Sequence, residues 1–311
     1  MEPHRRGLQL TQRRAGNHPR LVALLDELIQ GEGFLPSRLP GVNFMRSTRY
    51  VPRSPIVYEP GIFVVAQGRK TGYLGERKII YDPDRYLVLS IPLPFECETE
   101  GSPEAPLLAV SISVTRASIV ELLLQMGDVE LTNGAHVLAM QSTKLDERLR
   151  EAVTRLLENL RSDDDARILG PQIVREVTYL VLGGKLGATL RAVAAPDSHF
   201  GQISRILNRM HTDFARSYDM TQLAREAGMS VSAFHARFKA VTASSPLQYL
   251  KSVRLHKALL LMVHEGASAG VAASRVGYES ASQFSREFKQ RFGNGPAAVA
   301  ADLRQAMVTL A

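Results

Sequence analysis

Apolar and polar positions change period several times along the chain. Leu21, Leu24, Leu25 and Leu28 fall at helical spacing, and Gly31 and Gly33 close that stretch. From residue 34 to 115 the pattern shortens. GVNFMRSTRYV, IVYE, GIFVVAQG, GYLGERKIIY, RYLVLSIPL and PLLAVSISV are period-two or continuous apolar runs, separated by Gly and Pro. Such runs predict antiparallel strands folded into a barrel or sandwich. At Arg116 the helical period returns. RASIVELLLQMG stops at Gly127, and TKLDERLREAVTRLLENLR sets Leu145, Leu149, Val153, Leu156, Leu157 and Leu160 three and four apart. Asp163, Asp164 and Asp165 then read as a solvated connector, because no metal-ligand spacing accompanies them. Pro171 opens a helix to Gly183 and Gly184, and GATLRAVAAPDSH reads as a linker. Seven helices follow, at about 199–215, 221–227, 231–242, 246–264, 269–276, 281–292 and 296–307.

One pattern occurs twice in those helices. Ala224 and Gly228 recur 49 residues later as Ala273 and Gly277. Ser232, Phe234, Phe238, Lys239 and Pro246 recur 50 residues later as Ser282, Phe284, Phe288, Lys289 and Pro296. The one-residue difference falls between the glycine and the next helix, where a turn absorbs it. A helix-turn-helix needs a small residue where its helices touch, here Ala224 and Ala273. It also needs a turn residue tolerant of positive φ, here Gly228 and Gly277. Ser230 and Ser280 suit the N-caps of the helices that follow. At 100° per residue Phe234, Phe238 and Val241 share one face of the first such helix, with Ser232, His235, Ala236 and Lys239 opposite. In the second, Phe284, Phe288 and Phe292 oppose Ser282, Ser285, Arg286 and Lys289. The stretch 246–264 joins the two units, and a helix of about 18 residues spans ~27 Å.

Charge sharpens the picture. Residues 199–311 hold 14 Lys and Arg against 7 Asp and Glu, whereas residues 1–198 hold 24 of each. The whole net charge of +7 sits on the repeated segment, which points to a polyanion partner. The length of 311 residues suggests two domains. No apolar run approaches the roughly 18 residues of a membrane span, and residues 1–20 are basic without an apolar secretory stretch. The single cysteine, Cys97, excludes an internal disulfide and fits a reducing cytoplasm.

The segment VGYESASQFSREFKQRFGNGP, supported by RLHKALLLM in the connecting helix, resembles the DNA-binding domain of the AraC/XylS family of bacterial transcription regulators. The resemblance covers about residues 200–296. It implies two recognition helices set in successive major-groove segments of double-stranded promoter DNA, about 34 Å apart. Carried over by position, it implies base contacts from Ser232, His235, Ala236, Ser282, Gln283 and Arg286, and phosphate contacts from Lys239, Ser285 and Lys289. Arg286 suits a bidentate contact to guanine, worth about 1–3 kcal/mol of discrimination. YEPGIFVVAQGRK, YLVLSIPLP and SPEAP resemble the N-terminal domain of one AraC subgroup, over about residues 20–190. That implies a cupin-like barrel that binds a small-molecule effector, dimerises, or both.

The fold expected is therefore α+β: an N-terminal cupin-like β-barrel with flanking helices, then an all-α domain of two helix-turn-helix units joined by a long helix. Residues 1–20 would be a flexible basic arm, 21–190 the regulatory and dimerisation domain, 191–198 a linker and 199–311 the DNA-binding domain. The function expected is a cytoplasmic, effector-responsive activator that works with RNA polymerase, without a cofactor, a metal or a membrane. No histidine stands between His18 and His136 to serve a metal-binding barrel, and no P-loop, dinucleotide fingerprint, nucleophile elbow or HExxH is present. The reading from another class is a barrel-based binder or enzyme whose basic tail tethers it to nucleic acid without sequence preference. Cys97 is a candidate thiol sensor, although Glu96, Glu98 and Glu100 beside it would disfavour a thiolate. For a homodimer, the stripe of leucines at 145–160 is one candidate seam and residues 116–126 another; both could equally serve to cover the barrel.

Overall fold

Gly and Pro end each apolar run after a few residues, so the chain doubles back repeatedly and its strands pair antiparallel. The computed structural model describes residues 18–127, 137–195 and 198–308. Among them, helix α1 (Pro19–Leu28) leads into β1 (Gly33–Pro36), β2 (Val42–Ser47), β3 (Val51–Tyr58), β4 (Gly61–Gln67), β5 (Arg69–Leu74), β6 (Arg77–Tyr81), β7 (Arg85–Leu89), β8 (Leu93–Glu100) and β9 (Leu107–Ser113). Helix α2 (Arg116–Met126) and β10 (Met140–Lys144) follow. The strands form a six-stranded sheet, β1-β2-β9-β4-β7-β10, and a four-stranded sheet, β3-β8-β5-β6. The sheets approach each other where β6 meets β7 and β10.

Three strands escape the apolar pattern for separate reasons. β3 contains Pro52 and Pro55, which its edge position tolerates because it pairs only with β8. β10 is mostly polar and owes its place to β7. β8 alternates strictly: Leu93, Phe95, Cys97 and Thr99 are buried between the sheets, while Glu96, Glu98 and Glu100 turn outward. The run GYLGERKIIY is a hairpin rather than one strand, turning at Gly75 with φ +60°.

Helices cover the outer face of the larger sheet. They are α1, α2, α3 (Glu147–Asn159), α5 (Gly170–Gly183) and α6 (Gly187–Ala194), and their apolar stripes form one core with β2, β4, β7 and β9. This settles the leucine stripe. Leu145, Leu149, Val153, Leu156, Leu157 and Leu160 are all buried in that core, so they are not available as a dimer seam. The three aspartates are not a connector; they form the first turn of α4 (Asp163–Ile168), capped by Ser162, where the positive helix end favours them. Residues 191–194, expected in the linker, are the last turn of α6. Of the expected arm, residues 1–17 lie outside the described residues, and Pro19 opens α1 with His18 as its N-cap.

The seven helices expected from 199 onward are all present: α7 (His199–Thr212), α8 (Met220–Glu226), α9 (Val231–Thr242), α10 (Pro246–His264), α11 (Ala269–Arg275), α12 (Ala281–Phe292) and α13 (Pro296–Val308). The core between the two sheets does not stop at the barrel. It runs from Tyr58, Leu93 and Phe95 into Ile203, Leu207, Phe234, Phe238 and Tyr249. Tyr249 is fully buried there and donates to the Pro92 carbonyl oxygen at 2.8 Å. A separate, smaller core under α11 and α12 holds Phe284, Phe288, Ala272 and Ala273.

Candidate nucleic-acid interface

The two repeat units are built alike. Ala224 and Ala273 are buried where their helices cross. Gly228 and Gly277 adopt φ +65° and +87°, and in each unit the next residue donates to the alanine carbonyl, Met229 to Ala224 at 2.9 Å and Tyr278 to Ala273 at 3.0 Å. Ser230 and Ser280 then cap α9 and α12, accepting from the amides of Ala233 and Gln283. The glycines are not equivalent. A Cβ at Gly277 would stand 2.3 Å from the Ala215 carbonyl oxygen, while at Gly228 nothing approaches within 3.9 Å.

Burial along the two second helices is nearly superimposable. Phe234 and Phe238, like Phe284 and Phe288, are fully buried and stack edge-on or tilted in pairs. Ser232, His235, Ala236 and Lys239 lie exposed on α9, and Ser282, Gln283, Ser285, Arg286 and Lys289 lie exposed on α12. Every residue that the resemblance singles out is therefore at the surface. Lys239, Arg286 and Lys289 have no carboxylate partner among the described residues. Gln283 is less free, since its Nε2 donates to Glu287 Oε1 at 3.1 Å.

Two residues that sequence reasoning left unassigned organise this surface. Glu287 accepts from Lys251 and Tyr278 as well, each at 2.8 Å, and these donors outweigh partial burial to hold its carboxyl below the usual range. Arg254, on α10, donates from Nε to the Phe214 carbonyl at 2.7 Å and from Nη2 to those of Arg216 and Ala215 at 2.9 and 3.3 Å. Its Nη1 reaches the Gly277 carbonyl at 3.2 Å. One guanidinium thus fastens the second unit's turn to the loop before the first unit. Its sequence signal is faint: an arginine on a mostly apolar helix, with partners far away in the chain.

A second feature lies between barrel and α10. A cavity of about 320 Å³ is lined by Phe34, Tyr58 and Phe63 on one side and His211, His256 and Lys257 on the other. At its rim Glu59 accepts from His211 Nε2 at 2.7 Å and lies 3.7 Å from Lys257 Nζ. Burial would raise the Glu59 carboxyl, but His211 and Lys257 together hold it below the usual range. The Nδ1 atoms of His211 and His256 are buried without a hydrogen-bond partner among the described residues. Burial, with Lys257 nearby, pushes His256 down to about 4. Glu59 follows directly on β3, His211 lies on α7, and His256 and Lys257 lie on α10, which no local pattern connects. No group of side chains among the described residues could hold a metal ion, and no described helix is long and apolar enough to cross a membrane.

Residues 38–189 match the AraC-type transcriptional regulator N-terminus, and residues 223–302 match a helix-turn-helix domain. The first runs from just before β2 into α6, and the second begins in α8 and ends in α13. The chain belongs to the AraC family. An AraC-like transcription regulator from Streptomyces lividans is 36% identical over 94 residues, 30% of this chain and 31% of its own length. The transcriptional activator RhaR of Pectobacterium atrosepticum is 29% identical over 102 residues, 33% of this chain and 35% of its own. Matches to such curated relatives span about a third of their length. The crystal structure of unsaturated fatty acid-bound ToxT from Vibrio cholerae shares the fold through both halves, with a TM-score of 0.59 at 12% identity over 88% of this chain and 96% of that one.

Proposed function

We propose that this AraC-family protein is a cytoplasmic, sequence-specific DNA-binding transcription regulator whose DNA contact responds to a small molecule. The observation that carries the reading is the matched exposure of α9 and α12: two capped helices present equivalent polar faces from a basic segment. Ser232, His235, Ala236, Ser282, Gln283 and Arg286 would face bases, and Lys239, Ser285 and Lys289 phosphates. α10 has 19 residues, or about 28 Å of helix, close to the ~34 Å between successive major-groove segments on one side of B-DNA. We assign no catalytic step to the chain. Its action on transcription would be activation through RNA polymerase.

The cavity against α10 supports the effector part of the reading. Its aromatic wall suits an apolar body, and Lys257 and the two histidines suit an acidic head. ToxT was crystallised with an unsaturated fatty acid, and an apolar acid is the class proposed here. For a homodimer, the stripe at 145–160 is occupied internally, so the seam would be α2 and α5, which leave Leu124 and Tyr179 exposed. A Leu124→Glu variant that stays dimeric by light scattering would remove that seam.

Footprinting separates the two classes of function. Protection of a discrete site, lost in Arg286→Ala, is the expected result. Equal affinity for all sequences, with a steep salt slope, would support the non-specific tether instead.

A further inference from the structure

Strand alternation reverses the surroundings that the sequence suggests for Cys97. Glu96, Glu98 and Glu100 point out of the barrel, where Glu96 pairs with Arg53 and Glu98 accepts from Tyr50 and Tyr73. On the inner face Thr99 of β8 stands opposite Lys70 of β5, and Cys97 stands opposite Gly72. Lys70 is only 5% exposed, and its Nζ donates to Thr99 Oγ1 at 2.7 Å. Among the described residues no carboxylate pairs with it; Cys97 stands two residues from Thr99 on the same inner face, diagonal to Lys70 across the β5–β8 pair. Burial pushes the amine down toward its neutral form, against the pull of Cys97. Two phenols complete the cluster. The Tyr81 hydroxyl lies 3.4 Å from Cys97 Sγ, and Tyr58, buried in the same core, also lines the cavity against α10.

We propose that Cys97 and Lys70 form a hydroperoxide-reactive pair that closes into a covalent S–N bond between β8 and β5. The Cys97 sulfur attacks the O–O bond, giving up two electrons. With hydrogen peroxide the products are cysteine sulfenic acid and water. The Lys70 amine, once it has given up its ammonium proton, then attacks that sulfur with its lone pair. The S–N bond forms, the S–O bond breaks, and the departing hydroxide takes an amine proton to leave as a second water. One peroxide, one thiol and one amine become one sulfenamide and two waters. A dithiol reductant returns both side chains. Neither group reacts this way alone: a buried thiol without a nearby nucleophile stops at sulfenic acid or goes on to higher oxides.

The test uses the full-length protein, treated with hydrogen peroxide and then with the sulfenic acid trap dimedone, read by intact mass and peptide mapping. The expected product has lost about 2 Da, resists dimedone, maps to the peptides bearing residues 70 and 97, and reverts with dithiothreitol. Lys70→Arg keeps a long basic side chain without the amine nucleophile, and should instead carry dimedone on Cys97. The proposal fails if folded wild type takes up dimedone at Cys97 as readily as the urea-unfolded chain. It fails too if Cys97 stays a free thiol at a dose that oxidises the unfolded chain, or if the mass loss persists in Cys97→Ser. Should Lys70→Arg not fold, the wild-type mass and its dimedone resistance decide alone.

Discussion

Arg286 and Gly277 show how far single residues carry the function. Arg286 is exposed and free of carboxylates, so Arg286→Ala should leave thermal stability within about 0.5 kcal/mol. It should relax discrimination at one base position by about 1–3 kcal/mol, read by competition binding with point-mutated sites. Gly228 and Gly277 occupy equivalent turns but meet different surroundings. Gly228→Ala should cost about 1 kcal/mol for its positive φ. Gly277→Ala should cost distinctly more in a urea melt, because its Cβ would press on the Ala215 carbonyl oxygen at 2.3 Å. The repeat in the sequence located both glycines, since a turn's need for positive φ is local. It could not rank them, since Ala215 lies 62 positions from Gly277 in the chain. Lys70 was within reach of sequence reasoning: it keeps step with Gly72 and Leu74 on an inward strand face, where a lysine is out of place.

Among the elements, helices were more legible than strands. Each helix after residue 198 carries its own capping side chain or N-terminal proline and an apolar stripe, so its bounds are written locally. β8 was obscured because its outward face is acidic, and α6 because small residues dominate it. The arrangement of elements was legible only where length alone sets it, as in α10. Arg254 supplies the rest. Arg254→Lys keeps the charge but loses the planar fork that reaches four carbonyls from two separate segments. We expect such a variant to bind a site with both major-groove segments at least tenfold more weakly. Binding to a single segment should change little, and electrophoretic mobility shifts on the two DNA lengths would report the difference. Equal losses on both would mean that Arg254 supports only the first unit. Within each unit, Phe234→Ala or Phe284→Ala empties a fully buried site and should cost about 3–5 kcal/mol.

On the scale of the whole molecule, His256 makes the junction of barrel and α10 sensitive to acid. It is held down to about 4 by burial, then by Lys257 and His211, with Glu59 opposing and Arg291 adding to the effect. The unfolded chain protonates a histidine near its usual ~6.5, so the stabilising term is complete above that pH. It is lost as pH falls from about 6.5 toward 4, by on the order of 2 kcal/mol. A urea midpoint measured at pH 7.5 and at pH 5 should drop for wild type and drop less for His256→Leu. If effector binds the adjoining cavity, Lys257→Ala should abolish the ligand-dependent change in DNA affinity while basal binding stays. Neither expectation was visible in the sequence, where two histidines and a lysine from two helices and a glutamate just after β3 looked unrelated.

The core that continues from the barrel into α7, α9 and α10 has a consequence for how such a chain can be recombined. A DNA-reading half that packed by its own means could be cut out or grafted onto another sensor just before α7. Here the cut would strip Ile203, Leu207 and Tyr249 of the partners they share with Leu93 and Phe95, leaving a greasy scar on the first reading unit but none on the second. Chimeras should therefore be soluble only when the donor front half supplies a matching floor. A crossover inside α10, which retains the first unit with its own barrel and exchanges only the second, should be tolerated far more readily.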